Sequence, residues 1–321
     1  MGSHSVKTYI VQRLLAVIPV LLGVSMVIFL TMKLIPGDIA RTLLGPIATE
    51  ETVSQLRRAL GLDQPVYVQY VKWLGRTLRG DLGMSPIVNR PVVAILLPKI
   101  WNTFILVGCS FLLAVVVGVM VGVRAAAKEY SVFDRLSMSL ALGLGNMPPF
   151  WLGLVLISLF ALRLRWFPML GMRSLRGESG FLDLLHHLVL PMLTTAAAPM
   201  AIIARMTRAS VLEILREEFI KAAWAKGLSS TRVIYGHALA VAWPPIVTIA
   251  ALQIGYLLTG AVFTEWIFGW PGLGQQLVQS VIARDIAVVQ GAVLFIAGVF
   301  VLVNLAADIL NLTLDPRTRP V

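Results

Sequence analysis

Long uncharged apolar runs alternate along this chain with short intervals rich in arginine and lysine, the pattern of a protein that crosses hydrocarbon several times. Runs able to cross roughly 30 Å of hydrocarbon, which takes about 20 helical residues, lie at Leu14–Met32, Asn102–Val123, Leu136–Leu162, Ala238–Thr264 and Ile286–Ala307. A sixth, Leu188–Ala204, is shorter and carries Pro191 and Pro199. The pattern predicts an all-α integral membrane protein with six crossings in one bundle. Leu14–Met32 is too long for a signal-peptide core and is followed by Lys33 and Pro36-Gly37-Asp38 without a small-x-small cleavage site, so it is expected to be retained.

The interval from about Lys33 to Lys99 is different, being long and of mixed charge. Helical periodicity in Glu51–Leu60 and Val66–Leu78 predicts a small helical domain, with Gly61 as a helix stop and Asp63-Gln64-Pro65 as the next start. Two readings stay open for it: part of a docking surface for a substrate carrier, or a brace for the bundle.

Composition agrees with this picture. Of 321 residues 58% are hydrophobic and 13% charged, with a mean hydropathy of +0.84, which lies outside the soluble globular range. Basic residues near helix ends set orientation. Lys7 and Arg13, then Arg124, Lys128 and Arg135, then the group Arg205 to Arg232, and last Arg317 and Arg319, fall on one side of six crossings, which places both termini in the cytoplasm. The opposing loop Arg163–His187 also holds four arginines and is put outside only by the helix count. The net charge of +11 is largely this topology signal, so nucleic acid is not an expected partner. Cys109 lies inside an apolar run and is assigned to helix packing.

Candidate chemistry is sparse. No G-x-x-x-x-G-K-[ST] pattern occurs, so the chain holds no P-loop and must borrow any ATP energy from another subunit. His186-His187 point about 100° apart on a helix, which suits a shared metal poorly, and no metal site is assigned. Ionisable residues are nearly absent from the apolar runs, where a charge costs about 2.5–3.5 kcal/mol and usually marks an ion pathway; this argues against proton or sodium coupling. Glu265 stands at a predicted helix end, where capping or solvation is expected. Phe268, Trp270, Pro271, Gly272 and Gly274, following Glu265, form a glycine-rich turn placed at the outer mouth of the bundle as a gate candidate. Pro148-Pro149 and Pro244-Pro245 free backbone carbonyls and bend helices, either to open a path or as static kinks.

The most informative interval is 205–239. Phe219, Ile220, Lys221, Ala222, Ala223, Ala225, Lys226 and Gly227 form a short helical peg between long apolar runs, in which Phe219 and Ala223 stack at i and i+4, Ile220 and Ala223 at i and i+3, and Gly227 suits the left-handed closing residue. Glu213, Glu217 and Glu218 precede its positive end, and Ser229-Ser230-Thr231 can cap the next helix. A docking peg and an ordinary positive-inside loop are both compatible with this spacing.

The residues of the peg, continued by Leu228, Arg232-Val233-Ile234 and His237-Ala238-Leu239, resemble the cytoplasmic loop of binding-protein-dependent ABC importer permeases of the dipeptide, oligopeptide and nickel group. Arg13-Leu14-Leu15, Pro36-Gly37-Asp38, Leu60 to Pro65, Gln69-Tyr70, Gly80 to Gly83, Phe150 to Gly153, Glu265 to Gly274, Arg284-Asp285 and Asp315-Pro316-Arg317 carry the same likeness over nearly the whole chain. Lys221 stands where the wider superfamily has glutamate and Ala240 where it has proline, both as in the peptide and nickel branch; Ala287 replaces that branch's usual proline.

The resemblance implies a six-helix type I importer fold divided as 1–32 (first helix), 33–99 (extracytoplasmic domain), 100–312 (permease core) and 313–321 (tail). It implies a bacterial inner-membrane location and, as partners, the bilayer, a second homologous permease, two ABC ATPases that bind ATP and Mg, and an extracytoplasmic solute-binding protein. The peg becomes the ATPase-coupling helix. The chain itself is then no enzyme, and its substrate is a di- or oligopeptide, with a nickel chelate, glutathione or an opine as alternatives. A self-sufficient channel or secondary carrier is the reading from another class.

Overall fold

A computed structural model describes residues 3–34, 41, 44, 48–59, 61–174 and 180–314. Pro36-Gly37-Asp38, Leu60 and Asp315-Pro316-Arg317 of the sequence likeness lie outside the described residues. In chain order the elements are α1 (Ser3–Leu34), α2 (Glu50–Ala59), α3 (Val66–Thr77), a two-stranded hairpin β1 (Met84–Ser85) and β2 (Arg90–Pro91), α4 (Val92–Ala127), and α5 (Val132–Asn146). They continue with α6 (Pro149–Leu156), α7 (Phe181–Leu215), α8 (Glu218–Ala225), α9 (Leu239–Ile267), α10 (Leu273–Ile282) and α11 (Ile286–Leu314), with π-helical turns extending α6 over Ile157–Arg163 and preceding α9 over Arg232–Ala238.

Among the described residues five helices are long and apolar enough to cross a membrane: Gln12–Thr31, Val92–Ala127, Phe181–Leu215, Arg232–Ile267 and Ile286–Ala307. The expected span Leu136–Leu162 is not one straight helix but α5 and α6, bent by 111° at the Met147-Pro148 break. Pro148 cannot donate to the ladder and Pro149 occupies the first turn of α6, where its missing N–H costs nothing. Leu188–Ala204 proves to be the middle of the 35-residue α7, which runs through Pro191 and Pro199 unbroken. Its small buried face, Thr194 to Ala198 and Ala201, sits within the fold rather than against lipid, and neighbouring helices stabilise a helix with missing backbone bonds.

The chain forms two compact units. The first consists of Asn102–Gln275 with the outer ends of the terminal helices; the second is Arg13–Trp101 with Gln276–Val301. In the first, α4 and α7 meet at Gly118 and Gly122, spaced four apart. A Cβ on Gly118 would lie 2.9 Å from the Met200 carbonyl oxygen, and one on Gly122 2.6 Å from Thr207 Cβ. Small residues at this spacing let membrane helices approach backbone to backbone. Gly122→Ala should lower the thermal midpoint of the purified chain, by overpacking worth about 1–3 kcal/mol; an unchanged midpoint would mean that the helices separate freely here. Asp134 of α5 is buried and takes a bidentate pair from Arg208 of α7, with Arg208 Nε to Oδ1 at 2.5 Å and Nη2 to Oδ2 at 2.7 Å. The Tyr130 N–H donates to the same carboxylate at 2.9 Å, so the charge is matched from two sides.

In the second unit, α3 lies along α1. The Ser25 and Tyr70 hydroxyls are 2.8 Å apart, and Phe29, Tyr70 and Trp73 form an aromatic cluster with centroids 5.5 to 6.2 Å apart. Gly61, at φ +67°, closes α2 through its N–H to the Arg58 carbonyl and that of Leu62 to the Arg57 carbonyl. The hairpin has no counterpart in the sequence reading, which took this interval as helical. Its Ser85 hydroxyl donates to Asp285, which caps α11 by accepting from the Val288 N–H at 3.3 Å.

Candidate functional site

The predicted site residues divide into two groups at opposite ends of α9, whose 29 residues alone span about 43 Å. The first group is the peg. α8 begins after Glu217, whose carbonyl receives the N–H of Ile220 at 3.1 Å and of Lys221 at 3.2 Å; its side chain makes no capping bond, nor does that of Thr231 before the π-helical turn. Ile220 is completely buried and packs with Val233 and Ala238, flanked by Ile214, Leu215, Ala223 and Leu228. The anchor of the peg is therefore Ile220 and not Phe219, which is 48% exposed.

The end of the peg is a full left-handed closure. Gly227 has φ +78°, its N–H reaches the Trp224 carbonyl at 2.9 Å, and the Leu228 N–H reaches the Ala223 carbonyl at 3.3 Å. Leu228 then folds back beside Ala223 in the same apolar cluster. Glycine is required here because other side chains crowd the backbone at this φ. With the angle fixed by the closure and Ile220 by packing, steps of 100° put Lys221, Ala222, Ala225 and Lys226 on the outward pole. Phe219 stands at its rim, whereas Trp224, 42% exposed, falls 40° from Ile220 by the same steps and lies toward the packed side. Glu218 stands on the same pole and accepts from Lys221 Nζ at 2.7 Å, so the pole is small-sided with one net positive charge, on Lys226. Trp224 was not singled out in the sequence; an exposed aromatic five positions after Phe219 is the signal.

The second group surrounds Glu265, which is completely buried. Its Oε1 accepts from the Thr103 hydroxyl at 2.6 Å, and its Oε2 from the N–H of Gly274 at 2.6 Å and of Gln275 at 3.3 Å. Thr103 in turn accepts the Leu273 N–H at 2.8 Å. Three successive N–H groups at the positive end of α10 are thus satisfied by one carboxylate and one hydroxyl. The intervening turn is tied to α4 as well: Trp270 Nε1 donates to the Asn102 carbonyl at 2.9 Å, and Asn102 Nδ2 to the Pro271 carbonyl at 2.8 Å. Phe268 and Trp270 are both buried. A Cβ on Gly272 would fall on the Glu265 carboxylate, and one on Gly274 would lie 3.0 Å from Glu265 Oε2, so both glycines are steric requirements of the turn. Glu265 is a cap without solvation, and Phe268 to Gly274 are knotted around it. Thr103 and Asn102, the partners from α4, were missed because nothing local in sequence links them to a residue more than 160 positions away.

Among the described residues no group of three His, Cys, Asp or Glu side chains could hold a metal ion. His186 Nε2 pairs with the Trp166 carbonyl at 2.8 Å and His187 Nδ1 with the Asp183 carbonyl at 2.9 Å, so each histidine has its own backbone partner.

Residues 114–320 match the family model described as binding-protein-dependent transport system inner membrane component, and residues 6–94 match the model of that system's N-terminal membrane component. The chain belongs to this family. The permease is 40% identical to the dipeptide transport system permease protein DppB of Alkalihalophilus pseudofirmus, over 97% of its own length and 99% of the relative's. It is 39% identical to the glutathione transport system permease protein GsiC of Escherichia coli K12, over 97% and 98% of the two lengths. Its fold matches a chain from inward-facing crystal forms of the MetNI methionine ABC transporter with a TM-score of 0.56 at 19% identity, over 70% of this chain and 97% of that one. The permease is a multi-pass inner-membrane subunit of an ABC importer with the type I transmembrane fold, and ATP hydrolysis belongs to its partner subunits.

Proposed function

We propose that this permease imports short peptides, as one of two nonidentical permease subunits working with two ABC ATPases and an extracytoplasmic binding protein. Support for the substrate class comes from the relatives, whose names specify a dipeptide and glutathione, itself a small peptide. The observation that carries the mechanism is α8: a short helix closed by Gly227, rooted by Ile220 and presenting a small-sided, charged pole together with two exposed aromatics, Phe219 and Trp224. Such a peg suits a groove on an ATPase. Closure of the ATPases around ATP and Mg, which they hold, would displace the peg and switch the bundle from facing the cytoplasm to facing outward, a rigid-body transition of a familiar kind. The Glu265 knot then holds the outer end of α9 to α4, at the mouth where substrate leaves its binding protein. Both termini lie in the cytoplasm of a bacterium in this reading.

Reconstitution tests it. Proteoliposomes carrying the permease with its second permease, ATPases and binding protein should accumulate a labelled dipeptide only when ATP is supplied. Flux through the permease alone, driven by a solute or proton gradient, would establish a carrier instead.

A further inference from the structure

The second unit contains a cavity of about 620 Å³ whose charge the transport mechanism leaves unused. Lys33, Arg58, Lys72, Arg76 and Arg79 line it, and no carboxylate does among the described residues. Lys33, Arg58 and Arg76 stand in the last turns of α1, α2 and α3. Each helix end supplies about half a negative charge, so three ends offset about 1.5 of the five positive ones. The nearest polar neighbours are amides: Lys33 Nζ donates to Gln69 Oε1 at 2.5 Å and Lys72 Nζ to Gln64 Oε1 at 2.8 Å. An amide oxygen satisfies one proton and neutralises nothing. Burial correspondingly pushes the Lys33 ammonium below the ordinary lysine pKa.

The cavity's place in the fold narrows its occupant. Lys33 follows the apolar stretch Gln12–Thr31 by two residues, and Ile286 and Gln290, also in the lining, open the span Ile286–Ala307. Phe29 and Trp73 form an aromatic wall. Cations with aromatic side chains at the ends of membrane spans occupy the headgroup level, where phosphates are concentrated.

We propose that this basin is an anion site that takes a phosphate whose charge no attached cation balances, carried by an anionic lipid headgroup or by a small free solute. The test uses the full chain in nanodiscs of phosphatidylcholine alone, of a phosphatidylcholine and phosphatidylglycerol mixture, or of phosphatidylcholine with added inorganic phosphate, read as the thermal unfolding midpoint. A rise of about 2–4 °C is expected in one anionic arm, lost in Lys72→Gln/Arg79→Gln and kept in Lys72→Arg/Arg79→Lys. A rise with phosphatidylglycerol assigns the lipid and a rise with inorganic phosphate assigns the free anion. No rise in either arm, or a rise that survives the double glutamine variant, would overturn the site.

Discussion

Serine in place of both Phe219 and Trp224 is expected to leave the permease folded and inserted while lowering ATP-driven uptake by about 30-fold or more, because losing an aromatic anchor typically costs about 2 kcal/mol of docking. Both side chains are close to half exposed and neither belongs to the Ile220 cluster, so the variant removes contact surface without opening a cavity. Its stability should stay within about 0.5 kcal/mol of the parent. Gly227→Val attacks the same device from inside. Valine at φ +78° is strained by about 1–3 kcal/mol, and relief of that strain breaks the Leu228 to Ala223 bond that sets the angle of the peg. Both variants should stimulate ATP hydrolysis poorly while reaching the membrane in normal amount. Wild-type uptake and ATPase stimulation in both would remove α8 from the coupling role.

Glu265→Ala should be the most destabilising single change around the C-terminal end of α9. It strips the carboxylate from two backbone N–H groups, of Gly274 and Gln275, and from the Thr103 hydroxyl, all in a buried setting. The hydroxyl can turn elsewhere, but the N–H groups are fixed by α10, so a loss of about 3–5 kcal/mol is expected. Glu265→Gln keeps the shape but offers one acceptor oxygen where two now work, and should fall between. Thermal unfolding of the purified variants orders them, with the parent first, glutamine second and alanine last. A glutamine variant as stable as the parent but defective in transport would instead make Glu265 a moving gate residue.

What the sequence made legible follows from the range of each interaction. Apolar runs report lipid contact residue by residue, so four crossings could be placed closely from them. Leu136–Leu162 was harder to place, because Pro148-Pro149 announces a bend but no local feature sets it at 111°. α7 looked short because charged flanks and two prolines hid a helix that its neighbours keep continuous. In the peg, Gly227 was read correctly as the closing residue, since left-handed closure is a local demand. The choice between Phe219 and Ile220 as anchor was not legible, for the residues that bury Ile220 include Val233 and Ala238, beyond the end of the peg. The Glu265 knot shows the same limit at longer range, and a hairpin of two-residue strands has no period to detect.

The glycine contact between α4 and α7 bears on how force would travel. α7 ends at Leu215 and α8 starts at Glu218, so whatever pushes the short helix pushes α7 almost directly. Where side chains cushion an interface, one helix can slide on another before the second responds. At Gly118 and Gly122 there is no cushion, and the Asp134 to Arg208 pair pins α5 to the same helix. A stroke applied at α8 should therefore arrive as a turn of three helices together, with little backlash between them.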